Sequence, residues 1–190
     1  LISGNTSICR ILNGMWQVSG AHGPINPDAA VKSMIQHHDS GFTTWDLADH
    51  YGPAEDFIKI FRDNLQKTRG SSSLESIQAF TKWVPRPGPM TRELVEANID
   101  ISISRMGVSY LDMLQFHWWD YQDDRYLEAL HHLDDLRQSG KIRHLAVTNF
   151  DTKRLEVMVT NNIPITSNQI QFSLIDRRPQ VNMINFCKGH

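Results

Sequence analysis

Residues 43–55 read TTWDLADHYGPAE. The opening Thr43, Thr44 and Trp45 are the β-branched and aromatic types that fill buried strands. Gly52-Pro53 is a turn signal, and an apolar stripe of helical spacing follows it. Asp46 and Tyr51 therefore lie where a buried strand runs out into a loop. Two later stretches repeat the arrangement: AFTKW at 79–83 carries Lys82, and LQFHWWD at 114–120 carries His117. Polar side chains at the C-terminal ends of successive strands occupy the place where an α/β barrel keeps its active site.

Working outward, short apolar runs alternate with longer segments of helical period, the pattern of βα units in a parallel sheet. Strands are predicted at 11–18, 42–46, 77–83, 111–116, 144–148 and 166–171. The first helix begins at Pro27 behind an Asn26 cap and stops at Gly41. The second covers 54–67 with Phe57, Ile60, Phe61 and Leu65 as its apolar stripe. Thr91 caps a third that reaches Met106, with Leu94, Asn98, Ile101 and Arg105 in step and Gly107 beyond its end. Helices at 124–139 and 151–161 and a last one after Pro179 complete six units.

A closed barrel has eight strands and typically about 250 residues. Two readings follow: an open α/β sheet complete at six strands, or a (β/α)8 TIM barrel in which strands seven and eight are absent. No GxGxxG or GxxxxGK[ST] run follows a strand, which weighs against a doubly wound nucleotide fold. The incomplete TIM barrel, one α/β domain over residues 1–190, is the expected architecture.

Composition narrows the function classes. A chain 40% hydrophobic and 21% charged, with a net charge of -2, has an ordinary globular balance. Its charges are interspersed, so neither nucleic acid nor an anionic membrane is an expected partner. No apolar run nears the roughly 18 residues of a membrane helix. Cys9 and Cys187 form no CxxC pair, and the simple expectation is a reducing compartment. The first residue is leucine, so the natural start and any targeting peptide are expected upstream of it.

A phenol, an amine, a carboxylate and an imidazole are the groups needed to pass a proton to a carbonyl that accepts hydride. Tyrosine has an unperturbed pKa of about 10 and can donate a proton at neutral pH. A buried Lys82 ammonium beside Tyr51 is expected to lower that pKa, with Asp46 holding the ammonium charged and in place. His117 would hydrogen-bond the carbonyl oxygen and orient the substrate.

These words resemble the aldo-keto reductases. The family's Asp-x-Ala-x-x-Tyr-Gly corresponds to Asp46 through Gly52, and Pro53-Ala54-Glu55 is similar to its continuation. Thr81-Lys82-Trp83 resembles its lysine strand and Leu114 through Trp118 its histidine strand. Gly140-Lys141-Ile142-Arg143 precedes Thr148-Asn149-Phe150, similar to a Ser-Asn-Phe strand end, and Asn168-Gln169 resembles a word on strand six. The resemblance implies that Tyr51 is a general acid, tuned by Asp46 and Lys82, with His117 placing the carbonyl. It implies NADPH as donor, its carboxamide held by Thr148, Asn149 and Gln169, and an aldehyde or ketone as the small-molecule partner. An amide offers donors and an acceptor, and Asn and Gln side chains complement it. The family's later segments, which grip the pyrophosphate and adenine, are not among these residues. A cofactor-binding regulatory subunit on the same barrel, and an inactive fragment, are the competing readings.

Trp16, Trp83 and Trp118 are predicted to wall an apolar carbonyl pocket. Asp49 and His50 lack a third ligand at useful spacing, so no metal is expected. The adjacent pairs His37-His38 and His131-His132 are read as solvated surface.

Overall fold

A computed structural model describes residues 6–190. Its strands are β1 (Asn13–Gly14), β2 (Thr44–Asp46), β3 (Gln78–Trp83), β4 (Leu111–His117), β5 (Ile142–Thr148) and β6 (Asn168–Gln169). Its helices are α1 (Pro27–Asp39), α2 (Ala54–Arg69), α3 (Arg92–Met106), α4 (Tyr126–Gln138), α5 (Thr152–Thr160) and α6 (Met183–Gly189). The six strands pair in sequence order, every pair parallel. They are six of the strands of a barrel.

Strand alternation sorts the side chains between two faces. On β3, Ala79 and Trp83 join the large core shared with the helices, while Phe80 packs on the opposite face with Met113 and Ala146. Ile8 and Leu12 cover that smaller cluster. The concave face is therefore apolar below and, one or two residues further along each strand, polar. Lys82 pairs in register with Gln115, and His117 with Thr148, which pairs with Gln169; Asp46, opposite Phe80 in register, joins this polar layer through side-chain bonds to Lys82 and Gln115.

Three of the helices start on side-chain caps that the sequence announces. Asn26 Oδ1 accepts from the Ala29 amide at 3.0 Å, Thr91 Oγ1 from Leu94 at 3.3 Å and Asp151 Oδ1 from Arg154 at 2.8 Å. Each satisfies an amide the helix leaves orphaned, worth about 1 kcal/mol.

Several elements differ from their sequence prediction. The strand expected at 11–18 is a ladder of two residues followed by a 3-10 turn at Trp16–Val18. Its partner β2 ends at Asp46, so the ladder has nothing further to bond. The strand expected at 166–171 shrinks to Asn168–Gln169; at its C-terminal end the reason is the same, since β5 ends at Thr148 and Asn149 turns away with φ of 62°. In α2, Ile58 rather than Ile60 is buried, and Ile60 is 46% exposed. In α3 the buried stripe is Val95, Ile99, Ser102 and Met106, one residue along from the predicted one. Both stripes satisfy helical spacing, and only the packing partner decides between them.

Among the described residues, no helix is long and apolar enough to cross a membrane.

Candidate active site

The polar layer is assembled around one buried ion pair. Lys82 Nζ donates to both carboxylate oxygens of Asp46 at 2.7 Å and to the Leu47 carbonyl at 3.2 Å. Gln115 Nε2, absent from the predicted set, donates to Asp46 Oδ1 at 2.8 Å. Burial pushes the Lys82 amine below its usual pKa, and the charge and hydrogen bonds of Asp46 oppose that fall. The ammonium lies 5.3 Å from the centroid of the Tyr51 ring.

Tyr51 sits in the loop between β2 and α2, half-buried, with Trp16 edge-on against its ring at 5.1 Å. Its pKa is raised, first by burial and then by the negative charges of Asp46 and Asp49. This reverses the predicted lowering by Lys82. The main reason is burial, which disfavours the phenolate; in addition the carboxylate of Asp46 opposes the field of the ammonium it pairs with.

His117 Nδ1 lies 2.6 Å from Thr148 Oγ1, and its Nε2 is buried without a hydrogen-bond partner. Burial lowers the imidazole pKa, with like charge on His50 and Lys82 adding to the effect. A neutral ring that accepts the Thr148 hydroxyl proton at Nδ1 carries its own proton at Nε2. The orphaned Nε2 is then a free donor, and a buried donor without a partner is costly enough to call for a ligand.

Tyr51, Lys82, His117, Thr148, Asn149 and Gln169 all line one cavity of about 470 Å3, together with His50 and Trp119. The side chains of Asn149 and Gln169 make no hydrogen bond to another described residue, while Thr148 is already engaged with His117. Two free amides at the mouth of a cavity match the donors and acceptor of a carboxamide, so these residues fit a nicotinamide. Thr148, whose hydroxyl proton is committed to His117, keeps its oxygen lone pairs and would accept from the carboxamide N–H.

The predicted aromatic wall is corrected. Trp83 and Trp118 are 2% and 0% exposed and belong to the core. Trp83 packs on Phe116, as does Trp118, whose indole donates to the Asp120 and Asp123 carbonyls. Each follows an inward residue, Lys82 or His117, so strand alternation sends it to the helix side; that signal was present in the sequence. Trp119 is the tryptophan that lines the cavity, 65% exposed and 4.5 Å from the His117 ring. Trp16 stands against Tyr51 as described. His38 also departs from the expected solvated surface: its ring abuts Phe61 at 5.8 Å and Nε2 meets Ser76 Oγ at 3.0 Å. His50 Nδ1 pairs with Asp49 Oδ1 at 2.9 Å, and no group of three or more metal-ligating side chains forms among the described residues.

The model for the aldo/keto reductase family matches residues 10–190. The chain belongs to that family. This aldo/keto reductase is 26% identical over 177 residues to L-glyceraldehyde 3-phosphate reductase of Escherichia coli K12, a match covering 86% of this chain and 49% of that protein. It is 28% identical over 177 residues to an uncharacterized oxidoreductase of Bacillus subtilis, covering 93% and 58%. The chain thus spans about half the length of the curated relatives it matches. A thermostable aldo-keto reductase in complex with the inhibitor epalrestat superposes with a TM-score of 0.83 at 22% identity, over 100% of this chain and 68% of that one. A Bombyx mori aldo-keto reductase in complex with NADP gives 0.81 at 19% identity, over 99% and 62%. The fold of this aldo/keto reductase is accordingly that of the family's TIM barrel.

Proposed function

We propose that this aldo/keto reductase reduces the carbonyl of an aldehyde or ketone to an alcohol, with NADPH as hydride donor and Tyr51 as proton donor. The observation that carries the reading is that Tyr51, Lys82 and His117 line one cavity, with the buried His117 Nε2 left without a hydrogen-bond partner. NADPH supplies, when bound, the hydride that no side chain can provide. The preference for NADPH over NADH follows the family, and Asn149 and Gln169 are the residues that would hold its carboxamide.

The substrate oxygen accepts two hydrogen bonds, from the Tyr51 hydroxyl and from His117 Nε2. As hydride adds to the carbonyl carbon, negative charge grows on that oxygen and both donors strengthen their hold. Tyr51 then transfers its proton to the oxygen, giving the alcohol and leaving a tyrosinate. The Lys82 ammonium stabilises that tyrosinate, and Asp46 keeps the ammonium in place. A raised phenol pKa means that Tyr51 starts fully protonated at neutral pH, and a lowered imidazole pKa means that His117 starts neutral.

The test is Tyr51→Phe in the natural full-length protein. NADPH binding, followed by fluorescence titration, should be unchanged. Absorbance loss with 4-nitrobenzaldehyde should slow by about 100- to 10,000-fold, the usual contribution of general acid catalysis. Unchanged turnover would remove Tyr51 from the role, and failure of the wild-type protein to bind either NADPH or NADH would remove the reaction.

A further inference from the structure

Arg105 lies in the last turn of α3, outside the cavity, and the chemistry above makes no use of it. Its Nη1 donates to the Asp49 carbonyl at 3.0 Å and its Nη2 to the Gly52 carbonyl at 2.6 Å. Those two carbonyls flank His50 and Tyr51 on either side. Nη2 also donates to Asp56 Oδ2 at 3.1 Å.

A further contact extends the bracket to the strand beside it. Nη1 faces Glu55 Oε2 at 3.2 Å, an ionic contact without hydrogen-bond geometry. Glu55 is fully buried, and its other oxygen accepts the Thr81 hydroxyl at 2.6 Å. Thr81 directly precedes Lys82 on β3. One guanidinium therefore fixes both ends of the tyrosine turn and, through Glu55, ties that turn to the strand that carries the lysine. A planar fork of fixed donors can span two carbonyls and two carboxylates at once; a lysine ammonium is a point charge and cannot.

We propose that Arg105 is a positioning residue for carbonyl reduction, one that sets where the Tyr51 hydroxyl stands relative to Lys82 and His117. The proposal rests on the proton-donor reading of Tyr51. Displacing a reacting group by about 1 Å can cost about 100-fold in rate, even when the change is remote from the chemistry.

The experiment compares wild type, Arg105→Met, Arg105→Lys and Tyr51→Phe as full-length proteins. Each is measured for thermal midpoint, NADPH affinity, KM and kcat, and the rate is followed against pH. Arg105→Met should lower kcat by about 100-fold per folded molecule, with KM and NADPH affinity within about twofold of wild type. The alkaline fall in rate should also move to lower pH, because a loosened turn exposes the phenol to water. A residue that only supports the fold would lower the thermal midpoint and leave that pH profile in place. Arg105→Lys keeps the charge and serves if the methionine variant does not fold; it should recover less than about a tenth of kcat, since the bidentate bracket is lost. A kcat within about threefold of wild type in either arginine variant, beside a dead Tyr51→Phe, overturns the positioning role alone. Survival of turnover in Tyr51→Phe overturns the proton-donor reading and this proposal with it.

Discussion

Lys82 Nζ sits 2.7 Å from both carboxylate oxygens of Asp46, in a pair whose side chains are 8% and 14% exposed. Removing one member strands the other as an uncompensated charge, at about 3 kcal/mol. Lys82→Met is therefore expected to lower urea-unfolding stability by about that amount and to abolish turnover. The double variant Lys82→Met, Asp46→Leu removes both charges and should recover most of the lost stability with none of the activity. If the double variant is the less stable of the two, the pair contributes more to the fold than this argument allows.

The two shifted side chains of the cavity set a pH profile. Reduction needs the Tyr51 phenol protonated and the His117 ring neutral. The rate should be flat through neutral pH, falling on the alkaline side above the ordinary tyrosine value of 10.0 and on the acid side below the ordinary histidine value of 6.5. His117 also links pH to stability. Its folded pKa is lowered, so near pH 6 the unfolded chain binds more protons and stability rises with pH through that window. His117→Gln should flatten part of that rise in the thermal midpoint between about pH 5 and pH 7. An unaltered slope would place the titration elsewhere, with His144, also lowered by burial, the first candidate.

Adjacent tryptophans should separate cleanly into a stability residue and a pocket residue. Trp118→Ala empties a fully buried site and should cost about 3–5 kcal/mol, with KM of the folded protein unchanged. Trp119→Ala removes an exposed ring beside His117 and should stay within about 0.5 kcal/mol in stability. Its effect belongs in KM for aromatic aldehydes, which should rise several-fold. Reversed outcomes would mean that the cavity opens on the other side of β4.

This pair also marks how far the sequence carries. Asp46, Lys82 and His117 were legible because a polar residue closing a buried strand is costly unless it has a task, and three such strands repeat the pattern. Trp83 and Trp118 have the residue type of a pocket wall, but alternation sends both to the helix side, and position outweighs residue type. The face of α3 was different in kind. Leu94 and Val95 are equally good starts for a helical stripe, and only contact with its neighbours selects Val95. Spacing alone places Arg105 in step with Leu94, Asn98 and Ile101; its bonds to Asp49 and Gly52 span some 50 residues of chain and leave no local trace. Strand length was hidden for a similar reason, since β1 and β6 end where their partners do.

Two glycines of positive φ offer the last contrast. Gly52 follows Tyr51 with φ of 53°, and a Cβ there would lie 2.7 Å from the Ser19 carbonyl oxygen. Gly107 closes α3 with φ of 63°, and a Cβ there would meet Lys59 Cγ at 2.7 Å. Alanine at either position incurs the left-handed penalty of about 1–2 kcal/mol. The obstacles differ: a backbone carbonyl cannot step aside, whereas a lysine stem can change rotamer at little cost. Gly52→Ala should therefore shift the Tyr51 turn as well as lower the thermal midpoint, and kcat should fall by tenfold or more, on the order expected for a misplaced proton donor. Gly107→Ala should lower the midpoint and leave kcat as it was. Equal kcat in the two variants would mean that the tyrosine turn tolerates a shift, and that neither the Ser19 contact nor the glycine sets the placement of the phenol.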